Sequence, residues 1–87
     1  MTYRVNTEQI IFTQLGSEGV IYSMETNEYV TLNETMFQIL SGIDEGKQPD
    51  DIAAQLHREY TISESDSRQD VTEALRVLVA NGYIVAA

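Results

Sequence analysis

The stretch Asn27-Glu28-Tyr29-Val30-Thr31-Leu32-Asn33-Glu34-Thr35, NEYVTLNET, changes character halfway along. From Glu28 to Leu32 the side chains alternate in type as they do in a strand. Leu32-Asn33-Glu34-Thr35 has instead the composition of a helix start, with Asn33 as cap and an acid in the first turn. A short strand therefore runs into a helix with no loop between them. The junction decides the fold, because it ties the end of a sheet directly to a helical body.

Upstream, Ile10-Ile11-Phe12-Thr13-Gln14-Leu15 is rich in strand formers. Gly16-Ser17-Glu18-Gly19 follows as a turn, then Val20-Ile21-Tyr22-Ser23-Met24 as a second strand. Thr26-Asn27 reads as a tight turn into the third. If Glu25 pairs with Glu28, Met24 stands opposite Tyr29, Ser23 opposite Val30 and Tyr22 opposite Thr31. One face then carries Val20, Tyr22, Met24, Tyr29 and Thr31, and the other Ile21, Val30 and Leu32. Both faces are partly apolar, whereas a meander covered on one side alone alternates more cleanly.

Downstream of Asn33 the period becomes helical. Met36, Phe37, Leu40 and Ile43 form one stripe, and Gly46 helps end it. Pro49 suits a first helical position, after which Ile52, Leu56 and Tyr60 recur four apart. Ser63 or Ser65 caps a third helix that carries Val71, Ala74, Leu75, Val77, Leu78 and Val79 and closes at Asn81-Gly82. Tyr83-Ile84-Val85 reads as a short apolar tail. The expected class is α+β, a three-stranded antiparallel meander followed by three helices, in one domain over residues 1–87.

Five Lys+Arg against fourteen Asp+Glu give a net charge of −9, a field that repels phosphate backbones and argues against nucleic acid. No apolar run is long enough to span a membrane, and no basic-then-apolar N-terminal segment marks a secretory signal. With no cysteine there is no disulfide framework and no thiol chemistry. A soluble cytoplasmic domain is expected, with no membrane partner.

Catalysis is hard to build from this inventory. His57, the only histidine, lies beside Leu56 and Arg58 as a surface or boundary residue. There is no phosphate-cradling glycine loop and no paired ligand spacing. Asp44-Glu45 and Asp50-Asp51 are neighbours in sequence and do not share a helix face. Ser63-Glu64-Ser65-Asp66 lacks the alternating ligands of a calcium loop. No catalytic residue, cofactor or metal site is expected.

On the third helix, Val71, Leu75, Leu78 and Val79 form one arc, read as the core face. Ala74 and Val77 widen the apolar sector to one side, where Ser67 and Asp70 also project. Such a flank either packs on a second neighbour or lines a groove beside the sheet. Tyr22 and Tyr29 admit the same two readings.

A strand meander followed by Tyr29-Val30-Thr31-Leu32-Asn33-Glu34-Thr35 resembles the PqqD-like family. Ile52-Ala53-Ala54-Gln55-Leu56 with Glu59-Tyr60, and Leu78-Val79-Ala80-Asn81-Gly82-Tyr83-Ile84, extend the likeness over residues 8–85. The resemblance implies a winged helix-turn-helix-like architecture and a peptide chaperone. Such a protein takes the leader of a ribosomally made precursor as an added strand, in a cleft against the third helix. Carried over, the peptide-binding residues are Glu28, Tyr29, Val30, Thr31 and Leu32 on the strand. Those on the helix are Ser67, Asp70, Val71, Ala74, Val77 and Leu78.

The short chain is most similar to the discrete recognition proteins of lasso-peptide pathways, which work with a leader peptidase and a cyclase. The chaperone of pyrroloquinoline quinone synthesis is the alternative within the family. Physical chemistry agrees with strand addition. The third strand of a meander has an unpaired edge, and this one carries neither proline nor lysine to block it. The same edge is open to pairing with a second copy. Whether Tyr29/Thr31 or Val30/Leu32 meets the peptide stays open. Outside the family, a winged-helix DNA regulator is the competing class. Its reading helix would carry Glu64, Asp66, Asp70 and Glu73 against Arg68 and Arg76, the wrong sign for phosphate contacts. An adaptor for a folded protein is a third class.

Overall fold

In the computed structural model, which describes residues 2–87, Asn33 is the single residue between sheet and helix. Its backbone is extended (φ −69°, ψ 171°), and its side chain accepts a hydrogen bond from the Met36 N–H at 2.9 Å. One residue thus ends the strand and caps the helix, so no loop is needed. The elements run β1 (Tyr3–Val5), β2 (Ile10–Leu15), β3 (Glu18–Ser23), β4 (Glu28–Leu32), α1 (Glu34–Asp44), α2 (Pro49–Glu59), α3 (Glu64–Ala80) and β5 (Ile84–Ala86).

The meander β2-β3-β4 is antiparallel as expected, but the second hairpin is shifted. Ser23 pairs with Glu28, Tyr22 with Tyr29, Ile21 with Val30 and Val20 with Thr31. A two-residue Thr26-Asn27 turn of either hairpin type requires positive φ at its first position, which a β-branched threonine resists. Only Asn27 adopts it (φ 61°), and its N–H donates to the Ser23 carbonyl at 2.8 Å, which closes a longer loop through Met24. The shift is by an even number of residues, so the expected division between the faces survives.

The apolar tail is a strand. β5 pairs antiparallel with β1, Val5 opposite Ile84 and Tyr3 opposite Ala86, in a second, two-stranded sheet. Val5 and Ile84 are buried in the common core with Ile10, Ile21, Leu40, Ile43, Leu56 and Leu78.

Close approach fixes two glycines. A Cβ on Gly19 would overlap the ring of Phe37, and one on Gly42 would lie 2.9 Å from Ile52 Cγ1. These contacts seat α1 under the meander and α2 against α1. Ser63 caps α3, accepting from the Asp66 N–H at 3.0 Å, and Gly82 (φ 75°) releases the chain towards β5.

The core face of α3 is rotated from the expected arc. Ser67, Val71, Ala74 and Leu78 are buried, whereas Leu75 is half-buried and Val79 is 47% exposed. The buried set recurs at i, i+4, i+7, i+11, a stripe along one helix face. Its polar member is satisfied: the Ser67 hydroxyl donates to the Ala53 carbonyl of α2, so burial leaves no orphan group.

Candidate functional site

The register determines which backbone groups of β4 are free. Gly16 and Ser17 join β2 to β3 in a two-residue turn, with Leu15 opposite Glu18. The Met24 N–H donates to the Gln9 carbonyl, so even-numbered residues of β3 turn their peptide groups towards β2. Odd-numbered ones therefore face β4, and Ile21–Val30 and Ser23–Glu28 are the hydrogen-bonded pairs. In β4 the N–H and C=O groups of Glu28, Val30 and Leu32 are spent on β3. Those of Tyr29 and Thr31 point out of the open edge, since β3 is β4's only strand neighbour among the described residues.

Side chains divide the other way. Tyr29 (74% exposed) and Thr31 stand on the solvent face of the sheet, where the Tyr29 ring packs on Tyr22 with centroids 4.9 Å apart. Glu28, Val30 and Leu32 turn to the helical side, Leu32 buried and Val30 half-buried.

Two hollows border α3. One, of about 300 Å³, has Thr35, Met36 and Ile39 of α1 on one wall and Asp70, Glu73, Ala74 and Val77 of α3 on the other, with Asn33 at the junction. The second, of about 410 Å³, brings Glu28 and Val30 together with Ala80, Asn81 and Tyr83. Asp70, Ala74, Val77 and Asn81 recur at i, i+4, i+7, i+11, so one stripe of α3 walls both hollows. From Asp70 to Asn81 that stripe rises about 17 Å. The five residues of β4 span a similar ~17 Å. Together the two hollows form a trough that follows α3 over a length similar to the strand edge, with Met36, Ile39, Ala74 and Val77 as apolar lining of its first part.

Of the residues expected to bind a peptide, Glu28, Val30, Asp70, Ala74 and Val77 line the trough. Tyr29 and Thr31 offer backbone groups at the edge but no side chain to the trough. Leu32, Val71 and Leu78 are packed in the core, and Ser67 is turned to α2 rather than to the flank. Sequence reasoning missed Met36, Thr35 and Ile39. Met36 belongs to the apolar stripe of α1, and its half-exposure depends on where α3 crosses, which no local pattern encodes.

The trough is acidic. Four carboxylates, of Glu25, Glu28, Asp70 and Glu73, line its two hollows, and neither lining contains a lysine or arginine. Glu73 is paired with Arg76, whose guanidinium hydrogen bond holds the carboxyl below its usual range. Arg68 is likewise engaged by Glu64 at 3.0 Å. Asp70 has no ion pair among the described residues.

A protein-family profile described as coenzyme PQQ synthesis protein D (PqqD) matches residues 18–84. The fold superposes on a lasso peptide synthetase B1 complexed with the leader peptide, with a TM-score of 0.87 at 26% identity, covering 98% of this chain and 99% of that one. It also superposes on TbiB1 in complex with the TbiA(beta) leader peptide, with a TM-score of 0.87 at 21% identity, over 97% and 96% of the two chains. At that lower identity the likeness is one of fold. No curated protein matches the sequence.

Proposed function

The chain belongs to the PqqD family, and from that premise we propose that it is a recognition element for ribosomally made, post-translationally modified peptides. It takes the leader of a precursor as an antiparallel or parallel strand on the free edge of β4. The Tyr29 and Thr31 peptide groups supply the hydrogen bonds, and alternate ligand side chains descend into the trough against α3. The observation that carries this reading is the likeness over nearly the whole chain to a lasso synthetase B1 protein complexed with its leader. It favours the lasso-peptide pathway over pyrroloquinoline quinone synthesis.

The protein then acts by delivery, holding the leader while a peptidase and a cyclase work on the rest of the precursor. In this reading the bond-breaking chemistry belongs to those partners. The β4 edge would also serve self-pairing, but two copies at −9 each repel, and we assign the edge to the peptide. Duplex DNA is a poor alternative, since both arginines of α3 are already held by acids of the same helix.

Calorimetric titration with the leader of the precursor from the same biosynthetic pathway tests the proposal. One-to-one binding is expected, together with a lowered KM of the pathway's peptidase for the full precursor. Equal affinity for the leader and a scrambled peptide of the same composition would overturn it.

A further inference from the structure

Asp70 sits where neither helix stability nor ion pairing explains it. It lies beyond the first turn of α3, outside the reach of the N-terminal dipole. Asp66 is four residues before it and Glu73 three after, so it faces like charge on both sides, an arrangement that weakens a helix. The two arginines of α3 are committed elsewhere, to Glu64 and Glu73. Its carboxylate lies at the lip of the apolar hollow floored by Met36, Ala74 and Val77, whose lining holds no cation.

We infer that the segment seated in the trough is cationic at this point: a ligand Lys or Arg pairs with Asp70, two residues along the extended chain from an apolar residue over Met36 and Val77. This inference rests on the peptide-binding reading above and deepens it. The hydrophobic contact supplies most of the affinity. The ion pair sets register, because an extended chain shifted by one residue turns both side chains to the wrong face. It also discriminates, since an acidic residue at that position meets Asp70 and the other lip carboxylates with nothing to offset them.

A bacterial-display library of random linear peptides, selected separately on wild type and on Asp70→Lys, tests the assignment without knowledge of the natural leader. Asp70 is exposed, so the variant should fold, which thermal melting by circular dichroism verifies. Wild-type binders should share a Lys or Arg at one fixed spacing from an apolar residue. Selection on Asp70→Lys should keep the apolar residue and replace the basic one with Asp or Glu. A wild-type-selected peptide should bind Asp70→Asn about two- to fivefold more weakly, the range of a solvent-screened ion pair. If both selections return one motif with no change at the charged position, the pairing with Asp70 is wrong while peptide binding stands. If neither selection enriches any motif over display background, the peptide reading fails and this inference fails with it.

Discussion

Ile21 and Val30 stand opposite each other as a hydrogen-bonded pair of β3 and β4, which leaves the Thr31 amide pointing out of the sheet. Proline removes a backbone donor, and it is tolerated in a strand only where that donor faces solvent. Thr31→Pro should therefore leave urea stability within about 1 kcal/mol of wild type. It should weaken leader binding about tenfold or more, through a lost bond and a ring that obstructs the incoming strand. Val30→Pro strikes the ladder to β3 and should cost stability first. Calorimetry beside urea denaturation separates them; Thr31→Pro binding as well as wild type would rule out strand addition at this edge.

Gly19 is required by Phe37 rather than by its own backbone. An added Cβ meets the phenyl ring, which is itself buried between the meander and α1. Gly19→Ala should destabilise the protein by about 1–3 kcal/mol, the range for overpacking a core. A Gly19→Ala/Phe37→Leu double variant should recover part of that loss, because the flexible side chain can retreat. Strictly additive urea midpoints would show that the contact is not what matters.

What could be read from the sequence was local. The strand-to-helix junction at Asn33, the Pro49 start of α2 and the Ser63 cap of α3 each depend on one residue's own hydrogen-bonding or ring geometry. The hairpin register differs from the expected one because the loop takes in Met24 and Glu25 as well as Thr26 and Asn27, with positive φ at Asn27 alone among them. The pairing of β1 with β5 joins opposite ends of the chain through three-residue strands, too short to display a period. On α3 the burial of Ser67 was hidden because its hydroxyl finds an acceptor on another helix. Leu75 and Val79 looked like core because side-chain type alone does not reveal which apolar stripe faces inward.

Tyr60 should make stability fall at high pH. The neighbouring Glu34 carboxylate favours the protonated phenol, and this interaction, with burial and the charges of Glu34 and Glu59, pushes its pKa up from 10.0 to about 12. Below pH 10 both folded and unfolded chains hold the proton. Between about 10 and 12 the unfolded chain gives it up while the folded one retains it, so stability declines as pH rises through that window. Tyr60→Phe should lose the contribution at neutral pH and show a shallower decline above pH 10. Urea midpoints followed from neutral to alkaline pH measure the difference between the two proteins. Parallel curves would mean that Glu34 does not hold the Tyr60 proton in solution.

Val77 and Ala74 both line the trough, yet they should respond differently to charge. Val77 is half-buried and can carry a carboxylate at the trough's surface, whereas Ala74 is 5% exposed and packed into the core. Val77→Asp should fold normally and bind leader more weakly by about 1.5–3 kcal/mol, because the ligand's apolar side chain meets a charge that must be desolvated. Ala74→Glu should instead unfold the domain or nearly so. Leu78→Ala should cost about 2–5 kcal/mol of stability, as for any fully buried leucine. Leu75→Ala, on a half-exposed site, should cost about 1 kcal/mol. The four variants thus separate groove from core on one helix, with urea denaturation reading stability and calorimetry reading affinity. A folded Val77→Asp protein that binds leader with wild-type affinity would place the ligand's side chains somewhere other than this trough.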